Sequence, residues 1–213
     1  MGSNLEYKRF EEIDLQDDFF DSLKQDYCNF EKWFNRKMDN KAFVHYEGDK
    51  IDGFLFYKLE SDNVTDVTPL IYAKRIVKIG TFKIKPHGTR LGERFIKKAL
   101  DFAISEKADL CYLTIFEKHE ALIKLLTKYG FSRYGLKSTL DGEELVLIKD
   151  MKTVSGDIAY DYPLISMNQR RKFLISIYPK YHSAMFPDSI LNNEDSNITV
   201  SYTHLRAHET AAN

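Results

Sequence analysis

The chain has 213 residues, of which 43% are hydrophobic and 30% charged, enough apolar content for a core and too much for wholesale disorder. At about 100–200 residues per domain, that length suits one domain with a fragment or two small ones. With 31 Lys and Arg against 32 Asp and Glu, the net charge is −1, which excludes a global basic field for nucleic acid and leaves only a local patch open.

No apolar run approaches the roughly 20 residues of a membrane helix. The first residues lack the basic-then-apolar pattern of a secretory signal, and no Ser or Thr follows Gly2 at the spacing a myristoylation motif wants. Cys28 and Cys111 make neither a disulfide framework nor a zinc site, so no metal is expected and the reading is a cytoplasmic protein without a membrane partner.

Residues 5–13 mix apolar and charged side chains as an opening strand does. Residues 19–39 are rich in helix formers and aromatics. Leu23, Tyr27, Phe30 and Phe34 follow the three-or-four step of one helix face, and Asn29 suits a cap dividing two helices. Residues 42–46 and 51–57, either side of a Gly-Asp turn, predict a β-hairpin. Residues 61–69 read as a polar loop. Residues 75–85 predict a strand, with Phe82 and Ile84 on one face, Thr81, Lys83 and Lys85 on the other, and Pro86 as its stop.

A helix follows to about residue 106, apolar along Leu91, Phe95, Ile96, Ala99, Phe102 and Ala103. Residues 110–116 read as a buried strand. Residues 119–129 read as a second helix, with Leu122, Leu125, Leu126 and Tyr129 in step and Gly130 as its end. Residues 131–137 and 144–149 are strands around an Asp141-Gly142 turn. The order is mixed α/β on one sheet, with at least one strand–helix–strand crossover.

The chemistry points to residues 82–93, where a strand ends, a Gly-containing loop follows and a helix begins. Gly88 and Gly92 remove side chains, so that backbone N–H groups can approach a ligand. The unpaired amides of a helix's first turn favour an anion, and Arg90 adds a planar cation suited to phosphate. The stretch lacks the Gly-Lys-Ser/Thr of a P-loop and the three-glycine spacing of a dinucleotide fingerprint. Many such turns bind nothing, so the loop alone leaves ligand binding and plain structure open.

Phe82-x-Ile84-x-Pro86, then His87-Gly-Thr-Arg-Leu-Gly92, then an amphipathic helix resembles the acyl-CoA signature of the GNAT N-acetyltransferase superfamily. Residues 119–131, ending in Gly130-Phe131, resemble that family's second motif helix, and the resemblance covers about residues 5–150. It implies a mostly antiparallel mixed α/β sheet flanked by helices, with a central strand–loop–helix site for acetyl-CoA. It also implies an amine acceptor on a small molecule, a protein or a charged tRNA. The implied cofactor-binding set is Phe82, Lys83, Ile84, Gly88, Thr89, Arg90, Leu91, Gly92, Glu93 and His119. The loop amides would hold the pyrophosphate, the strand edge would pair with the pantetheine arm, and the amine would attack the thioester directly.

Departures from the family pattern fall on functional positions. His87 stands at the usual Arg or Gln, Arg90 at the first glycine, and His119 at a frequent Asn, where it either bonds the pantetheine arm or caps the helix. Leu126 stands at the usual Tyr, the acid that protonates the leaving thiolate. Tyr129, one near-turn later, either takes that catalytic role or packs as a helix-end aromatic. Glu47, Glu60 and Glu117 are the candidate proton acceptors, each otherwise a solvated charge. Loss of catalysis would leave a CoA-binding or RNA-contacting module.

Residues 152–161 read as a linker and 162–199 as the start of a truncated second domain. Residues 168–182 interleave Arg170, Arg171, Lys172 and Lys180 with Phe173, Tyr178 and Tyr181. That pattern suits either RNA contact or a solvated helix turn before a buried strand. From Val200 the chain resembles the in-frame translation of a sequencing adapter, so His204, Arg206, His208 and Glu209 are left out of the candidate site.

Overall fold

The computed structural model describes residues 3–60, 63–85 and 90–152, which all belong to one compact unit. The expected linker from residue 153, the second-domain start and the tail from Val200 lie outside the described residues. Period-two segments form seven strands: β1 Ser3–Arg9, β2 Lys41–Glu47, β3 Lys50–Glu60, β4 Ile76–Ile84, β5 Leu110–Ile115, β6 Ser132–Thr139 and β7 Gly142–Asp150. They make one sheet in the order β1-β2-β3-β4-β5-β7-β6. Only β4 and β5 run parallel, and the remaining neighbours are antiparallel.

A parallel pair needs a crossover, supplied by α3, Leu91–Ser105. Its side chains at helical spacing, Leu91, Phe95, Ile96, Ala99 and Ala103, are buried. They meet Leu55, Val77, Leu113 and Leu147 on one face of the sheet, joined there by α4, Glu120–Lys128. Gly130 takes a φ of +83°, the left-handed value that ends a helix and favours glycine.

The opposite face is covered by two short helices, α1 Asp21–Asp26 and α2 Phe30–Asn35. Phe10, Phe20, Phe30 and Phe34 pack there on Val44, Phe54 and Phe56. Phe10 meets Phe54 and Phe56 edge-on, with centroids 5.5 and 5.1 Å apart, pairings worth about 0.5–1.5 kcal/mol each beyond area burial.

Several local expectations change. The opening strand ends at Arg9, where Glu12 accepts a hydrogen bond from the Arg9 N–H at 2.7 Å and the chain turns. Asn29 does precede α2, but its side chain makes no capping bond. The last hairpin turns on Leu140 and Asp141, because Thr139 already pairs with Gly142. The loop read as polar carries an apolar core. Val64, Val67 and Ile71 pack on Ile76, Tyr112 and Val146, covering the part of the second face that α1 and α2 leave open.

That connector is pinned to the free edge of β6. Thr68 and Leu136 exchange both backbone hydrogen bonds at 2.8 Å. Gly135 permits the approach, since a Cβ there would stand 2.1 Å from the Thr68 carbonyl oxygen. Gly135→Ala should lower stability by about 1–3 kcal/mol in urea titration and speed amide exchange at Leu136. An unchanged midpoint would contradict this anchoring.

Candidate functional site

The site originates in an interruption of the sheet. β4 and β5 pair from Ile76↔Leu110 to Ile79↔Leu113 and no further. At that point the register of β3 against β4 shifts, so that Phe56 faces Thr81, Tyr57 faces Ile79, and Gly80 is the extra residue of a bulge. A side chain at Gly80 would collide with the Phe56 ring, its Cβ falling 2.8 Å from Cδ1. Beyond the bulge β4 stays with β3, while Thr114 and Ile115 of β5 stay with β7. The two strands part, and a cleft of about 1230 Å³ opens between them.

α4 forms one wall of the cleft through Leu122 and Leu125, and the junction of α1 and α2 crosses the other side. Asp26 ties these walls together, accepting from Lys118 Nζ at 2.5 Å and lying 3.4 Å from His119 Nε2. Tyr27 stacks near Phe116, centroids 5.1 Å apart, and its hydroxyl donates to Glu144 Oε1 at 2.8 Å. Glu144 is 4% exposed and belongs to the cleft wall. Burial first, then the Glu144 charge and hydrogen bond, push the Tyr27 phenol far above its ordinary value, so it stays protonated.

Of the residues named from sequence, Phe82, Lys83, Ile84 and His119 line this cleft. Lys83 is engaged elsewhere, its ammonium bonded to the Phe19 carbonyl and the Ser22 hydroxyl, and burial holds its pKa below the lysine range. Gly88 and Thr89, with His87, lie outside the described residues. Arg90 precedes α3 with its side chain 83% exposed, 3.4 Å from Glu93. Leu91 and Gly92 are buried. A Cβ on Gly92 would fall 2.8 Å from Leu125 and 3.1 Å from Ile84, so this glycine brings α3 close to both β4 and α4.

Tyr129 sits just past α4 and does not itself line the cleft, although Leu125 and Lys128 beside it do. Burial raises its phenol pKa, and the charge and hydrogen bond of Glu93 add to the shift. Leu126 is wholly buried in the core. The three candidate bases also miss the cleft lining: Glu117 pairs with Arg133 at 2.8 Å, Glu60 with Lys58 at 2.7 Å and Tyr112 at 2.8 Å, and Glu47 ends the β2 hairpin arm. Glu144 and Tyr27 do line it. The signal for Glu144 was its position in step with Val146 on an otherwise apolar strand face.

No protein-family model matches the chain, and neither does any curated protein. Solved structures do. Ard1 from Thermoplasma volcanium is 11% identical with a TM-score of 0.51, over 70% of this chain and 98% of that one. Chaetomium thermophilum Naa20 in complex with a bisubstrate analogue is 15% identical with a TM-score of 0.50, over 69% and 86%. A GNAT family acetyltransferase from Elizabethkingia anophelis with acetyl-CoA bound is 9% identical with a TM-score of 0.45, over 70% and 97%. The chain has the GNAT acetyltransferase fold. At these identities the likeness is one of fold, and the mostly antiparallel mixed sheet expected from sequence is the one observed.

Among the described residues, no helix is long and apolar enough to cross a membrane. Within the GNAT fold the two cysteines differ sharply. Cys28, at the α1–α2 junction, is exposed, and a hydrogen bond to Asp141 raises its thiol pKa. Cys111 is fully buried in β5, with burial pushing its thiol up to about 12. An aromatic disulfide reagent should modify one thiol per native chain and the second only on unfolding. Two equally fast thiols would contradict the packing of β5.

Proposed function

We propose that the chain is an N-acyltransferase that moves an acetyl group from acetyl-CoA to an amine by direct attack. The observation supporting this most is the parting of β4 from β5 at Gly80, which leaves strand edges unpaired along a cleft long enough for an extended thioester arm. Phe82 and Ile84 border that arm. The diphosphate is assigned to the start of α3, with Arg90 exposed beside it. Lys124 and Lys128 on the α4 wall supply further cations.

Proton movement is assigned to Tyr27 and Glu144 instead of Tyr129. An amine must be neutral to attack, and an ordinary lysine-type amine has a pKa of about 10.4. Glu144 takes that proton and the nitrogen bonds to the thioester carbonyl carbon. The C–S bond then breaks, CoA leaves as thiolate, and the new amide nitrogen gives its surplus proton to water. With Glu144 neutralised, one influence that holds the Tyr27 proton is gone. Tyr27 gives its proton to the thiolate and recovers one from Glu144, so the pair ends as it began.

Release of CoA thiol from acetyl-CoA over a panel of amines tests the reading. CoA binding with no turnover on any amine would favour a non-catalytic CoA-binding or RNA-contacting module. In a turning-over enzyme, Glu144→Gln should lower kcat about 100-fold or more, with CoA affinity held, and Tyr27→Phe should lower it in the same direction. Tyr129→Phe should leave kcat within about two-fold, a ratio equal to roughly 0.4 kcal/mol. A reversed ranking would return the acid to Tyr129.

A further inference from the structure

We infer that the acceptor is a zwitterion, an amine carrying a carboxylate or phosphate a few bonds away, whose anionic group is held by Lys78 and its lysine neighbours. This inference rests on the acyl-transfer reading and names the substrate class of the same cleft.

Four lysines reach the cleft on the face that carries α1 and α2: Lys37 just beyond α2, Lys58 on β3, Lys78 on β4 and Lys137 on β6. The strand lysines share that face because Lys78 is in step with buried Ile76, Lys58 with Phe56, and Lys137 lies directly across from Glu144. Two acids answer two of these cations. Lys58 pairs with Glu60 at 2.7 Å and Lys137 with Asp66 at 2.5 Å. Lys78 and Lys37 form no ion pair with any described residue, although Lys78 is half-buried with its ammonium 5.3 Å from the Tyr112 ring centroid. Burial holds the Lys78 pKa down and Lys137 adds to this, while Glu60 and Asp66 oppose it. An unpaired, desolvated ammonium in a cleft is stabilised by an anion that enters with a ligand.

The carrier's phosphates are poorly placed to be that anion. They are assigned to the start of α3, while Lys78 precedes Ile84 by six residues, about 20 Å along β4, and faces away from α3. The cleft-lining carboxylate directly across from Lys137 is Glu144, with a cross-strand Cβ separation of about 5 Å expected for such a pair. An incoming ammonium pairs with Glu144, and its anionic partner extends past Lys137 toward Lys78, which feels the Lys137 charge. A polyamine would place its second cation against these lysines instead.

The experiment has two arms. In the first, mass-spectrometric footprinting with an amine-acylating reagent follows Lys78 and Lys137 with and without inorganic phosphate and acetate, with Lys98 as the reference. Protection of Lys78 by about 10-fold with either anion is expected. Reactivity unchanged by both overturns the proposal, whether or not the chain is an enzyme. In the second, thiol release from acetyl-CoA is compared for aminoethyl phosphate, β-alanine, ethanolamine and spermidine. The phosphate and carboxylate amines should exceed ethanolamine at least 10-fold in kcat/KM and so separate the two anion types. Lys78→Met should erase that preference through KM, with CoA affinity unchanged. Equal or better use of ethanolamine or spermidine overturns the proposal while leaving acyl transfer intact. Failure of every amine, with phosphate or acetate protection of Lys78 retained, contradicts catalysis and leaves the anion site standing.

Discussion

The molecule depends on one break in backbone pairing. β4 and β5 are the only parallel neighbours in the sheet, and they stay together for four residue pairs before the Gly80 bulge turns β4 aside. The break is stable because each strand keeps its other partner. β3 holds β4 as far as Ile84, and β7 holds β5 as far as Ile115. A Cβ at the bulge would press on the Phe56 ring, and one at position 92 would press on Leu125 and Ile84, so glycine at both places lets the elements close without displacing these side chains. The aromatic core around Phe10, Phe54 and Phe56 packs against the neighbouring strand β3. Strand edges that a continuous sheet would bury in pairing are thereby left facing a cleft.

Charge divides that cleft. Toward α4, Asp26 joins Lys118 and His119, so the two walls are linked by ion pairs across the chain. Toward β6, lysines outnumber the acids that pair with them, and Glu144 with Tyr27 stands between the two regions. A hydrogen-bonded, buried carboxylate beside unpaired cations suits a substrate with both signs of charge better than one with a single sign. This distribution, more than the fold, distinguishes the cleft, since one fold hosts many acceptors.

Local pattern carried most of the fold into the sequence. The packing of Leu91, Phe95, Ile96 and Ala99 on α3 follows directly from helical period, as does the Gly130 stop; the order of strands and helices was therefore readable to residue 150. The site was readable only where it is local. Phe82, Ile84 and His119 lie on elements with clear periodicity and do face the cleft. Tyr27 and Glu144 are 117 residues apart, and nothing short of the folded sheet brings them together. Gly92 was read as room for a ligand, whereas its missing side chain makes room for Leu125. The apolar role of Val64 and Val67 was hidden by the polar residues around them, because burial there comes from a crossing over a distant strand face.

The most direct test of the parted strands is amide chemical-shift mapping of the isotopically labelled chain during addition of acetyl-CoA. The account predicts shifts confined to residues 80–84, Thr114, Ile115 and the first turns of α3 and α4, with residues 41–47 of β2 undisturbed. Shifts centred on the β1–β2 edge, or none at saturating acetyl-CoA, would contradict it.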